Sequence, residues 1–311
     1  MAYAPIHQRL ERGGVIILDG GTGTELERRG VPMDTKAWCG PATLDHLALL
    51  EAVHRDYIAA GADIITTNTF ASSPLMLDHA GFGDRFEEIN RAAIRAARQA
   101  MQASGRADVA VAGSLSHMLP VTEGTDRTDP DARRDPAELA SACSRLATLL
   151  AEEGCDLLLL EMMHHPERMP PAFEAAHATG LPVWAGFSAR RGDDGQVLSF
   201  TREREIPFEE VVQILAEHDV AAAGLMHTEA GVIADALAIL GKVYRGPLMA
   251  YPDSGYFKMP SWQFDAVMSP ETLRDFAENW VASGVQVIGG CCGLSPAHIR
   301  AIADLKHAGT S

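Results

Sequence analysis

The feature that most constrains this chain is an alternation of two patterns. Short apolar runs recur along its length, each followed by a longer stretch with apolar residues three and four apart. The runs cover residues 15–18, 63–67, 109–112, 156–160, 182–187, 220–226, 247–251 and 285–288. They are nearly unbroken, as expected of strands buried on both faces of a parallel sheet. The stretches between them, such as 44–60, 86–103, 136–153 and 270–283, have amphipathic helical spacing. Ser269-Pro270-Glu271 and Ser295-Pro296 read as capped helix starts. Gly61, Gly154, Gly180 and Gly284 read as helix stops, where a left-handed residue is wanted. Eight strand–helix units predict an α/β fold, a single (β/α)8 TIM barrel, with a doubly wound open sheet as runner-up. The expected domain is one barrel over residues 1–311. Two longer loops, 116–135 and 188–207, are charged and glycine-bearing and would stand on the catalytic face.

In a barrel the chemistry collects at the C-terminal ends of the strands. The runs end there on Asp19, Thr67, Asn68, Ser114, Glu161, His227, Asp253, Cys291 and Cys292, which suggests one polar pocket. Strand ends meeting solvent explain single cases, but less well two adjacent cysteines framed as Gly289-Gly290-Cys291-Cys292-Gly293. Glycines let the backbone turn sharply and bring both sulfurs toward one point. Two thiolates suit Zn²⁺, with Zn–S near ~2.3 Å, and a catalytic site adds a third protein ligand and an open position. The plainer alternative is two buried thiols packing as small hydrophobes. Glu161 closes a strand of four leucines, as partner of a ligand ammonium or as a paired rim acid. His164 and His165 read as solvated loop histidines. The segment Asp19-Gly20-Gly21-Thr22-Gly23-Thr24-Glu25 lacks the third glycine of a dinucleotide loop. Its glycines read as letting backbone amides approach a small substrate.

The net charge of −16 disfavours nucleic acid and anionic membrane as partners, leaving small molecules. No run of about 18 apolar residues is present to span a bilayer, and residues 1–12 lack the pattern of a signal peptide. Five cysteines do not form a disulfide framework, which fits a reducing cytoplasm. Nothing in the sequence sets the oligomeric state.

These residues together resemble the homocysteine S-methyltransferases, which include betaine- and S-methylmethionine-dependent enzymes. The resemblance runs from Leu18-Asp19-Gly20-Gly21-Thr22-Gly23-Thr24-Glu25-Leu26 through Gly61-Ala62-Asp63-Ile64-Ile65-Thr66-Thr67-Asn68-Thr69-Phe70 to Tyr251-Pro252-Asp253-Ser254-Gly255 and the terminal cysteine motif. It implies a β/α barrel, zinc held by three cysteines, and methyl transfer onto a homocysteine thiolate from a methylated onium donor or a corrinoid. No Asp-x-His-x-x-Gly motif is present, so a resident corrinoid is not expected. Two family cysteines fall on Cys291 and Cys292. Asp19 and Glu161 match the acids that hold the amino acid's ammonium, and Gly20, Thr67 and Asn68 match substrate-contacting strand ends. The third family cysteine falls on His227, within Gly224-Leu225-Met226-His227-Thr228, which makes His227 the expected third ligand. Ser116-His117 stand where a Gly-Pro pair is usual. The expected activity is zinc-dependent S-methyl transfer to a homocysteine-like thiol. The alternatives are a zinc hydrolase on the same barrel and a non-catalytic amino-acid-binding protein.

Overall fold

Each of the eight apolar runs forms a strand. The computed structural model describes residues 2–132 and 135–307; Met1, Arg133, Arg134 and 308–311, which fall in stretches considered above, lie outside the described residues. The strands are β1 (Ile16–Ile17), β2 (Ile64–Thr66), β3 (Ala110–Ser116), β4 (Leu157–Met163), β5 (Val183–Phe187), β6 (Ala222–Glu229), β7 (Leu248–Asp253) and β8 (Val285–Ile288). All pair in parallel, in the order β1-β8-β7-β6-β5-β4-β3-β2. A parallel bridge from Leu18 to Ile64 joins the two ends and closes the ring. The fold is therefore the expected (β/α)8 barrel, not the open sheet.

The two faces of the strands sort as a period of two demands. Ile16, Leu18, Ile64, Ala110, Ala112, Leu157, Leu159 and Met249 fill the interior. Ile17, Ile65, Val111, Leu158, Leu160, Ala185 and Ile288 face the helices. Burial on both sides explains why the runs are unbroken. Helices follow as expected, with small end shifts: Leu47–Ala60, Phe86–Ser104, Pro136–Glu152 and Pro270–Ala282. Gly61 ends the first of these at φ +114°, and Ser269 caps the last by accepting from the Thr272 amide.

Among the described residues, the elements not expected include one helix and two hairpins. The helix Tyr3–Glu11 plugs the N-terminal end, sending Ile6 and Leu10 into the barrel core. A hairpin, Ala189–Arg191 with Val197–Ser199, replaces much of the expected loop 188–207. A second hairpin pairs Tyr256–Lys258 with Ser261–Gln263. Among the described residues no helix is long and apolar enough to cross a membrane.

Strands β4 and β6 run past their expected ends through register shifts, between Leu160 and Met163 and between Met226 and Glu229. Met162 (φ +54°) and His227 (φ +43°) sit in these shifts in the left-handed region. A non-glycine residue there is strained, and such strain collects where a side chain must be aimed.

Candidate active site

The C-terminal strand ends open into a cavity of about 430 Å³. At one side of it the side chains of His227, Cys291 and Cys292 converge, with one ligand atom from each lying within 4.8 Å of the others. Cys291 Sγ is 3.9 Å from Cys292 Sγ and 3.7 Å from His227 Nδ1. A tetrahedral ion with ordinary zinc bonds to sulfur and nitrogen would hold such atoms about 3.8 Å and about 3.6 Å apart. The donor set and its spacing therefore fit a zinc-like metal. Asp253 Oδ2 lies 3.9 Å from His227 Nε2 and backs the ring from behind. A carboxylate in that position favours the tautomer that leaves Nδ1 free to ligate.

Electrostatics at this cluster ask for a cation. The proton affinity of Cys291 is raised well above that of an ordinary thiol, by the Cys292 sulfur and then by burial. Burial lowers His227, but the Asp253 carboxylate and the Cys291 sulfur outweigh it, and the ring titrates at about 9. Two crowded thiols ionise together readily only beside added positive charge.

The cysteine loop rests on the first motif of the chain. The Gly293 amide donates to Thr24 Oγ1 (3.0 Å), and Arg28 Nη2 donates to the Gly293 carbonyl (2.8 Å). The Tyr57 hydroxyl donates to the Leu294 carbonyl (3.0 Å), and the Cys291 amide to that of Pro252 (2.8 Å). A Cβ at Gly21 would lie 2.8 Å from the Cys291 carbonyl oxygen and 3.0 Å from Cys292 Cα. One at Gly20 would lie 2.5 Å from the Leu294 carbonyl oxygen. These glycines therefore also make room for the polypeptide that carries the cysteines, while Gly20, Gly21 and Gly23 remain on the cavity wall.

The remaining expected site residues divide. Asp19 is buried on the cavity wall and accepts from the Thr66 amide (2.7 Å) and hydroxyl (2.9 Å). Burial nevertheless raises its pKa well above the carboxylate range. Glu161 also lines the cavity; burial raises it to about 7, against the lowering effect of Ser114 and His227. Ser114, expected as a substrate contact, is not part of the wall; its hydroxyl donates to Glu161. Gly20, Thr67 and Asn68 line the cavity. Thr67 Oγ1 accepts from the Ser114 amide (3.1 Å), and Asn68 Nδ2 donates to the Cys39 carbonyl (2.9 Å).

Neither His164 nor His165 stands in solvent as expected: His164 lines the cavity, and His165 is buried outside its wall, 3.8 Å from Glu203. Neither joins the metal cluster. His117 and His164 have ring centroids 4.6 Å apart. Burial holds His164 down to about 3 and His117 well below its ordinary value, so both rings are neutral. Sequence reasoning missed an aromatic arc that runs past the cluster. Its centroid steps are Trp38–Phe257 (5.6 Å), Phe257–Trp262 (6.3 Å), Trp262–His227 (5.6 Å) and His227–Phe200 (5.2 Å).

Residues 16–305 match the sequence profile of the family described as homocysteine S-methyltransferase. The chain is 27% identical to a selenocysteine Se-methyltransferase of Brassica oleracea var. italica, over 94% of this chain and 89% of that protein. It is 26% identical to betaine–homocysteine S-methyltransferase 1 of Danio rerio, over 96% of this chain and 74% of the other. The fold is also that of the metallated homocysteine methyltransferase MmuM of Escherichia coli, at 24% identity and a TM-score of 0.72 over 96% of this chain and 99% of that one. With its profile matched across the whole barrel, this chain belongs to the homocysteine S-methyltransferase family.

Proposed function

We propose that this protein is a zinc-dependent S-methyltransferase, carrying a methyl group from a sulfonium or betaine-type donor, such as S-methylmethionine, to homocysteine to give methionine. The observation that carries the reading is the convergence of His227, Cys291 and Cys292 at tetrahedral spacing inside the substrate cavity. Zinc bound there would keep the acceptor sulfur as a thiolate, where a free thiol with a pKa near ~8.5 is mostly protonated at neutral pH.

The chain's own residues do the rest. Asp253 orients the His227 ring. Asp19 and Glu161, from β1 and β4, offer carboxyl oxygens to the acceptor's ammonium. Ser114 keeps Glu161 aimed into the cavity. Gly20, Thr67 and Asn68 shape the wall against which the amino acid lies. Trp38, Phe257, Trp262 and Phe200 exclude water beside the triad and present ring faces to an onium methyl, an interaction of roughly 0.5–2 kcal/mol per ring when desolvated. The whole chain, 1–311, acts as one domain, and its free thiols fit a cytoplasmic setting.

The test is elemental analysis of protein purified without chelator and challenged with zinc, followed by methionine formation from homocysteine and a panel of onium donors. About one zinc per chain is expected, lost from the Cys291→Ala/Cys292→Ala double variant while the barrel stays folded. Absence of zinc from the wild type would overturn the reading.

A further inference from the structure

The cavity is acidic at its floor and arginine-bearing at its mouth. Its wall includes Asp19, Glu161 and Asp253, at the strand ends, and four arginines, Arg127, Arg168, Arg190 and Arg202, carried on the loops and hairpin beyond them. Two of these arginines are matched. Arg168 Nη2 meets both carboxylate oxygens of Glu203 at 2.8 Å, and Arg202 lies 3.5 Å from Asp126. Arg190 is not. Among the described residues its one hydrogen bond runs from Nε to the Thr201 carbonyl (3.3 Å), and no carboxylate is in ion-pair contact with it. Its neighbour Arg191 points outward and is matched to Asp235 at 2.5 Å.

Position adds to this. Arg190 lies in the hairpin arm Ala189–Arg191, and the Ala189 amide donates to Thr228 Oγ1 (3.0 Å), one residue beyond His227. Arg190 therefore stands on the metal cluster's side of the cavity. The carboxylates read as partners of the acceptor's ammonium come instead from β1 and β4. A guanidinium whose Nε is engaged still offers its two terminal nitrogens as a planar fork, which matches a carboxylate.

We infer that Arg190 is the carboxylate-recognition residue of the cavity, and that its ligand is the carboxylate of a zwitterionic onium methyl donor. This rests on the onium-donor reading above and deepens it. The donor's cationic end faces the aromatic arc and acidic floor, and its carboxylate end is held at the mouth. The enzyme should accordingly prefer onium carboxylates over simple onium cations.

The test compares two probes with similar onium groups, dimethylsulfoniopropionate and ethyldimethylsulfonium, by calorimetric titration without acceptor, so that nothing turns over. The wild type should bind the zwitterion on the order of 10- to 100-fold more tightly. Arg190→Gln should remove that preference by weakening the zwitterion alone, Arg190→Lys should retain part of it, and homocysteine affinity should be unchanged in both. Equal binding of the two probes by the wild type, or binding of neither, overturns the inference. So does equal weakening of both probes by Arg190→Gln. A loss that falls on homocysteine assigns the contact to the acceptor and overturns it as well. Failure of the onium-donor reading shows separately, as no methionine formed by the wild type from any onium donor, whatever the binding comparison gives.

Discussion

Gly21→Ala should loosen the metal centre without touching a ligand. The added Cβ would meet the Cys291 carbonyl oxygen at 2.8 Å and Cys292 Cα at 3.0 Å, with Thr24 Oγ1 at 2.5 Å. Carbon atoms pack best at about 3.5–4.0 Å, so relief needs a displacement of about 0.5 Å. Thr24 cannot yield freely, because its hydroxyl accepts the Gly293 amide at 3.0 Å. The cysteine loop must therefore move, and both sulfurs with it. Overpacking of this kind costs about 1–3 kcal/mol of stability. Disturbance of groups that orient metal ligands typically weakens affinity about 10- to 100-fold. Zinc affinity, measured by competition with a chromophoric chelator, should fall by that factor, and methyl transfer at limiting zinc should fall in step. Gly231→Ala is the control: nothing lies within 4 Å of its Cβ position, it belongs to the helix Ala230–Leu240, and its φ is not in the left-handed region. That change should leave zinc binding alone and be neutral or stabilising by up to about 1 kcal/mol. Wild-type zinc affinity in folded Gly21→Ala protein would refute the reasoning.

Asp63→Ala should cost about 3–5 kcal/mol in urea unfolding, because the fully buried carboxylate is shared by Arg9 (2.8 Å), Arg106 (3.1 Å) and Lys306 (3.4 Å), and a loss under 1 kcal/mol would contradict that role. His54 is fully buried with neither ring nitrogen partnered, and burial lowers its pKa to about 4. The unfolded ring binds a proton near pH 6.5, so folded stability should fall as pH drops from there toward 4, by about 3 kcal/mol in all. His54→Leu should lose less over the same range, and parallel pH profiles for the two proteins would count against the argument. Glu161 titrates at about 7 and pairs with an ammonium only when ionised. Acceptor affinity should therefore rise from about pH 6 to about pH 8, whereas Glu161→Gln should be weaker by roughly 1.5–3 kcal/mol and lack that component. An unchanged pH profile in the variant would return Glu161 to a structural role.

The strands were legible because burial on both faces leaves an unbroken apolar run, and no neighbour in space is needed to see it. Their ends were less legible. Strand β6 continues through His227 to Glu229 because a register shift absorbs the polar residues, and no local pattern encodes that shift. The helix Tyr3–Glu11 has only Ile6 and Leu10 buried, too few for a periodic signal. The hairpin arm Ala189–Arg191 is three residues long and two of them are arginines, so it read as loop. At the site, the cysteine pair declared itself locally. His227, 64 positions before Cys291, read locally as a polar strand end, and its place as the third ligand came through family resemblance alone. Asp63 read as the first residue of a strand; its partners lie 54, 43 and 243 positions away, so its structural role exists only in the folded chain. Ser114 shows the converse error: a polar strand end does not have to face the cavity, and this one serves Glu161.

The unfound half of the site follows from the same physics. A chain of net charge −16 lines one cavity with six carboxyl groups, and burial raises the pKa of three of them, Asp19, Glu161 and Asp253. Such a cluster is tolerable only where hydrogen bonds and cations offset desolvation. Hydrogen bonds from Thr66 and Ser114, and the charge of His227, offset part of it. The rest matches what the proposed reaction brings: a divalent ion beside Asp253, an ammonium beside Asp19 and Glu161, and an onium methyl over the aromatic arc. Each arriving cation stabilises the ionised acids that receive the next, so metal and acceptor should bind with positive coupling, reciprocal between the two. The cavity's arginines, Arg127, Arg168, Arg190 and Arg202, all lie outside the eight barrel strands for the same reason. A guanidinium deeper in the cavity would pair with those acids and occupy the ground that the substrates' own charges are to take.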